Sequence, residues 1–162
     1  MGLTREQKWD LRYLKEAREW SKYSKDPSTQ TGACVVREDL SLVATGYNGF
    51  PPRVDDSPER YADRELKYKL IIHCEINAMD TAREALHGYC LYTWPFTSCS
   101  RCAGQAIKRG IARCVAPELP ERLRERWEDD MRLTEMMFTE SGVALVHYSW
   151  DFINEHIDGD LR

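Results

Sequence analysis

The stretch that decides the fold reads His73-Cys74-Glu75, then 23 residues, then Cys99-Ser100-Arg101-Cys102. One histidine and two cysteines are ligands that zinc favours, and three of them leave the fourth tetrahedral position open to water. Glu75 stands close enough to His73 to act on that water without being a ligand. A Cys-x-x-Cys pair on a helix puts both sulfurs on one turn. At a helix N-terminus the backbone amides favour the thiolate form that a metal needs. The pattern predicts a helix over 73–86 closed by Gly88, a strand over Tyr89–Trp94, and a second helix from Ser98 or Cys99 to Arg109 closed by Gly110. Two helix starts that face one another would hold the metal between them.

The chain outward from this stretch supplies the rest of an α/β fold. Thr4 is a capping residue for a helix over 4–25, whose expected buried face is Trp9, Tyr13, Ala17 and Trp20. Pro27 disfavours helical geometry at Asp26 and ends it. Ala33–Arg37 and Leu42–Tyr47 read as strands, and Gly46-Tyr47-Asn48-Gly49-Phe50-Pro51-Pro52 as a shaped loop. Residues 53–68 are strongly polar and read as a solvated insertion, with a short helix from Pro58 to about Lys67. After a strand over Ile111–Ala116 come a charged helix over Glu121–Glu140 and a strand over Gly142–Tyr148. The order α-β-β-α-β-α-β-α-β predicts a three-layer α/β/α sandwich around one mixed five-stranded sheet. Residues 1–150 are expected to form a single catalytic domain, and 151–162 a polar C-terminal tail.

Composition narrows the function classes. The chain has 162 residues, 27 acidic against 23 basic, and a net charge of −4. This is not the basic footprint of a nucleic-acid-binding domain, so a small substrate is expected. No run of 18 apolar residues predicts a membrane helix, and the N-terminus has no apolar signal core. Without a secretion signal, the six cysteines are expected to be thiols or metal ligands, and the cytoplasm is the expected compartment. Cys34, Cys90, Cys114, His87, His147 and His156 lack motif spacing and are read as structural.

His-x-Glu followed by Cys-x-x-Cys is the signature of zinc-dependent base deaminases. In that chemistry Zn2+ activates a water, and Glu75 is the general acid and base that carries protons to the ring nitrogen and to the leaving amino group. Two other readings compete. A non-catalytic zinc or nucleotide-binding module would have no need of Glu75. A redox Cys99–Cys102 pair would hold no stoichiometric metal.

Beyond the metal motif, Ser24-Lys25-Asp26-Pro27-Ser28-Thr29-Gln30-Thr31-Gly32-Ala33-Cys34-Val35-Val36, Gly46-Tyr47-Asn48-Gly49-Phe50-Pro51, His73-Cys74-Glu75-Ile76-Asn77-Ala78, Cys102-Ala103 and Ile107-Lys108-Arg109-Gly110-Ile111 resemble the deoxycytidylate (dCMP) deaminases of the cytidine deaminase superfamily. The resemblance implies zinc on His73, Cys99 and Cys102, with Glu75 as proton shuttle. It implies Asn48 on the sugar, backbone groups near Ala33, Cys74 and Cys99 on the base, and Lys25 and Ser24 in the phosphate-binding loop, with Arg53 or Arg64 reaching in. The implied reaction is dCMP to dUMP with loss of ammonia, which supplies the dTMP precursor; CMP, cytidine, dCTP and 5-substituted dCMP are the alternative substrates. A homo-oligomer is implied, with dCTP and dTTP as effectors near the Gly46–Pro51 loop and the polar insertion. Two positions depart from the family's usual pattern: Cys74 stands where alanine is usual and Ser98 where proline is usual. Ser98 is expected to cap the second metal helix.

Overall fold

The computed structural model describes residues 2–162. Its helices are α1 (Arg5–Ser21), α2 (Pro58–Ala62), α3 (Arg64–Leu70), α4 (Cys74–Thr81), α5 (Ser100–Lys108), α6 (Arg124–Ser141) and α7 (Trp150–His156). Its strands are β1 (Gly32–Val36), β2 (Leu42–Tyr47), β3 (Cys90–Trp94), β4 (Arg113–Pro117) and β5 (Ala144–Tyr148). The sheet is mixed and runs β2-β1-β3-β4-β5. β1 is antiparallel to both of its neighbours, and β3, β4 and β5 are parallel.

Alternation along the central strands builds the three expected layers. Every residue of β1 is buried, as befits a strand covered on both faces. Ala33 and Val35 join Leu91 and Cys114 on one face, under Ala78 and Met79 of α4, Ala103 and Ala106 of α5, and Phe138 of α6. Cys34 and Val36 join Tyr92 and Val115 on the other face, under Leu11, Leu14 and Ala17 of α1 and Ile153 of α7.

The α1 cap is a full capping box: Thr4 Oγ1 accepts from Gln7 N at 3.1 Å, and Thr4 N donates to Gln7 Oε1 at 2.9 Å. Of the face expected to be buried, only Ala17 is in the core; the buried stripe is Leu11, Leu14 and Ala17. Trp20 instead stacks on Tyr47 and meets Tyr23 edge-on. Large amphipathic rings suit a half-wet edge, whereas purely aliphatic side chains fill the sheet interface.

Several boundaries differ from the sequence reading: α1 ends at Ser21 instead of 25 and α6 begins at Arg124 instead of Glu121, and three further differences have clear local causes. Helix α4 stops at Thr81, whose hydroxyl donates to the Asn77 carbonyl at 2.7 Å, a back-bond that weakens the following turn. The chain then folds back to bury Leu86, and Gly88 turns at φ +81° before β3 with its N–H on the Gly110 carbonyl at 2.9 Å. The polar insertion holds two short helices, α2 and α3, because Asp63 caps the second by accepting from Leu66 N at 3.0 Å. The segment after residue 150 is not a polar tail. Ser149 Oγ accepts from Phe152 N at 3.3 Å and starts α7, and Ile153, Ile157 and Leu161 are buried. Ile153 and Ile157 lie one helical turn apart on the α7 face turned to the α1 side of the sheet, and Leu161 joins them from the irregular segment beyond the helix end.

Gly46 fixes how closely β2 approaches α4. A Cβ there would lie 2.5 Å from both the Ala78 nitrogen and the Cys74 carbonyl oxygen, and backbone atoms cannot swing aside. Gly46→Ala is expected to cost about 1–3 kcal/mol through overpacking, read as a lower denaturation midpoint at unchanged denaturant sensitivity. A midpoint equal to wild type would mean that the two elements are free to separate.

Candidate active site

The first metal-ligand candidate sits where α4 begins. His73 is the N-cap of α4, and Cys74 and Glu75 lie in its first turn. An isolated bridge pins this entry: Gly49 N donates to the Ile72 carbonyl at 3.1 Å, and Ile72 N donates to the Gly49 carbonyl at 2.8 Å. Asn77 Nδ2 adds a bond to the Tyr47 carbonyl at 2.8 Å. The shaped loop after β2 therefore positions His73.

The second pair sits where α5 begins. Cys99 is its N-cap and Cys102 is one turn in. Ser98 does not cap this helix, contrary to the expectation; its hydroxyl is buried without a hydrogen-bond partner. Asp130 of α6 does that work, accepting from Ser100 N at 2.8 Å and from Ser100 Oγ at 2.6 Å. Thr134 Oγ1 donates to the Ser98 carbonyl at 2.9 Å. Helix α6 thus clamps the loop that carries Cys99, a long-range role that no local motif announces.

Together these elements bring His73 Nδ1 within 3.3 Å of Cys99 Sγ and 3.4 Å of Cys102 Sγ. The ligand atoms of these three residues all lie within 4.8 Å of one another, and among the described residues no fourth His, Cys, Asp or Glu joins them. One imidazole and two thiols fit zinc with an open position. Hydrogen bonds from Cys102 and then His73 hold the Cys99 thiol well below the usual thiol range, the same bond to Cys99 pushes the Cys102 thiol up, and the Cys99 thiolate holds His73 up at about 9. The arrangement thus already favours one negative sulfur, that of Cys99, next to the His73 imidazole.

Glu75 is 6% exposed, and burial raises its carboxyl above the usual range. Its Oε2 lies 3.3 Å from Cys74 Sγ. Burial likewise keeps the Cys74 thiol protonated. The sulfur therefore acts here as a small apolar neighbour with a weak S–H donor.

A cleft opens over this group. Its lining includes His73, Cys74, Glu75 and Cys99, with Asn48, Phe96, Tyr68, Arg126 and Trp127. Of the residues expected to touch a substrate, Asn48 and Cys74 line it; Ala33 and Lys25 do not. Ala33 is fully buried in β1, paired with Gly46 and Thr93. The Lys25 side chain is 60% exposed and paired with Asp56 at 2.7 Å. Arg53 and Arg64 are also outside the lining.

Asn48 is committed to the protein. Its Oδ1 accepts from Thr31 N at 2.8 Å, and its Nδ2 donates to the Thr29 carbonyl at 2.9 Å. It shapes the 26–31 loop that forms one wall of the cleft. The same wall contains a buried ion pair that the sequence reading missed: Lys67 Nζ lies 3.0 Å from Asp26 Oδ1 and 3.0 Å from Ser28 Oγ. Lys67 is 2% exposed although it comes from a segment read as solvated. Breaking such a pair strands a charge, so it locks the loop to α3.

A mixed sheet between helix layers, with a His-Cys-Cys cluster at two helix N-termini and a buried carboxylate beside it, defines the class of zinc-binding deaminases. Comparison with known proteins narrows the class. The family described as "Cytidine and deoxycytidylate deaminase zinc-binding region" matches residues 7–118, and the chain belongs to this family. An Aliivibrio fischeri protein named "Uncharacterized deaminase in luxG 3'region" is 34% identical over 146 residues, covering 90% of this chain and 97% of that protein. A "Probable deoxycytidylate deaminase" of Caenorhabditis elegans is 35% identical over 75% of this chain and 66% of its own length. The mouse "Deoxycytidylate deaminase" is 30% identical over 85% of this chain and 78% of its own length. The apo crystal structure of a dCMP deaminase from the cyanophage S-TIM5 superposes with a TM-score of 0.67 at 19% identity, covering 86% of this chain and 96% of that one. That likeness establishes the shared fold.

Proposed function

We propose that this protein hydrolyses the 4-amino group of dCMP, giving dUMP and ammonia. The observation that carries the reading is Glu75: a buried carboxylate in a cleft, two residues after one member of a three-ligand zinc cluster. The relatives named deoxycytidylate deaminases, at 30–35% identity, support the choice of substrate.

The chemistry adds water across the C4=N3 bond of cytosine and expels ammonia from C4. His73, Cys99 and Cys102 would hold zinc, whose Lewis acidity brings ionisation of water into the neutral range. Glu75 takes a proton from the attacking water and delivers it to N3. It then carries the second proton to the 4-amino group, which leaves as ammonia while the C4 carbonyl of uracil forms. Burial suits this role, because a carboxylate raised towards the working pH both accepts and returns protons. Cys74 and Phe96 help line the cleft in which the base would sit.

Finer parts of the reading belong with it. A homo-oligomer has an apolar face available on α6, where Leu133 and Met136 are each 49% exposed. Effector binding by dCTP and dTTP would fall on the 46–51 loop, which holds His73 in place. A cytoplasmic setting agrees with six unpaired thiols. No helix among the described residues is long and apolar enough to cross a membrane.

The test is ammonia release by zinc-loaded protein on dCMP, 5-substituted dCMP, CMP, deoxycytidine and dCTP, each with and without dCTP or dTTP as effector. Turnover concentrated on dCMP or its 5-substituted forms is expected. A preference for another cytosine compound would keep the mechanism and replace the substrate, and no turnover with one zinc bound per chain would leave a binding module.

A further inference from the structure

Among the described residues Arg126 is the one Lys or Arg side chain that lines the cleft over His73 and Glu75. Its neighbours on α6 behave differently. Arg124 pairs with Glu121 at 2.8 Å, and Arg132 pairs with Asp129 at 3.4 Å. Among the described residues Arg126 forms no ion pair with a carboxylate. Its guanidinium lies instead over two rings that also line the cleft, 5.2 Å from the Tyr68 centroid and 5.0 Å from that of Trp127. Stacking of this kind holds a guanidinium plane without neutralising it.

A second guanidinium converges on the same phenol. Arg64 Nε donates to Tyr68 Oη at 3.1 Å, and Arg126 Nη2 donates to the same oxygen. Arg64 also lacks a carboxylate partner among the described residues. Two unpaired cations that share one neutral acceptor repel each other, and neither has its charge compensated by the protein. The other cation on Tyr68, Lys67, is already spent on Asp26. Both guanidiniums are exposed at the cleft mouth, where they offer several N–H donors together, and a phosphate matches that guanidinium fork.

We infer that Arg126, held on Tyr68 and Trp127 and seconded by Arg64, binds the 5′-phosphate of the nucleotide and sets the preference for a nucleoside monophosphate over a nucleoside. This rests on the deaminase reading of the cleft and names its anion site. It moves the principal anchor from the Lys25 loop, where the family resemblance pointed, to Arg126 on α6, and keeps Arg64, which the resemblance had reaching in.

The experiment measures kcat/KM for dCMP and for deoxycytidine in wild type, Arg126→Ala, Arg126→Lys and Arg64→Ala, with thermal melts of each. The read quantity is the ratio of the two kcat/KM values. Loss of a charge-assisted contact is expected to lower that ratio about 20-fold or more in Arg126→Ala. The fall should be smaller in Arg64→Ala, because Arg64 stands outside the lining. Arg126→Lys should restore part of it, since lysine keeps the charge and loses the fork. A merely structural role would depress both substrates alike and leave the ratio unmoved. A wild type that favours dCMP, with an unmoved ratio in Arg126→Ala, overturns the Arg126 assignment and leaves the deaminase reading standing. A wild type that turns over neither compound overturns both.

Discussion

Glu75→Gln is expected to stop ammonia release, lowering kcat by at least about 1,000-fold, because a positioned general acid and base contributes in that range. The amide keeps the shape of the side chain and cannot shuttle a proton. Zinc content should stay at one per chain, since Glu75 is not among the clustered ligand atoms. Stability should hold or rise. Glu75 is buried and its ionised form is disfavoured by desolvation, so a neutral isostere removes a cost that the fold carries for function. Three measurements check this together: ammonia release, metal analysis and a thermal melt. Turnover within tenfold of wild type would remove Glu75 from the mechanism. Loss of zinc would instead make it a ligand.

Cys102→Ser is expected to have the second large effect, through the metal. Serine is close in size and lacks the soft thiolate that zinc prefers. Turnover should fall by about 1,000-fold or more, the scale of several kcal/mol of Lewis-acid assistance. A readout that does not depend on turnover is the melt with and without chelator. Zinc bound only to the folded state raises the wild-type melting temperature, so chelation should lower it. In Cys102→Ser the melt should be insensitive to chelator, with less than one zinc retained per chain. A variant that keeps full zinc and a full chelator response would show that His73 and Cys99 recruit another ligand.

The clustering of His73, Cys99 and Cys102 was legible in the sequence because its geometry is local. A histidine at one helix start and a Cys-x-x-Cys at another need only two helices and the strand between them to meet. The strands were legible for a similar reason: the fully apolar run of β1 and the β-formers of β3 and β4 allow few alternatives in a chain of this length. The walls of the cleft were not legible. Lys67 and Arg126 occur in charged segments whose composition matches a solvated surface. Their burial or stacking follows from where α3 and α6 dock, which local pattern does not encode. Lys25 shows the converse: it stands in the loop that resemblance favoured, and Asp56 holds it outside the cleft.

By itself the sequence determined the α/β order, the three metal-ligand candidates and the carboxylate beside them, since each depends on residue type and short spacing. Only the tertiary structure decided that Asp130 caps the second metal helix and that residues 150–161 close the α1 face. It also decided that Asn48 and the Asp26–Lys67 pair build the cleft wall and that Arg126 overlooks it. Those outcomes depend on contacts between segments far apart in the chain, where packing and the compensation of buried charge settle which side chain of a given type is used.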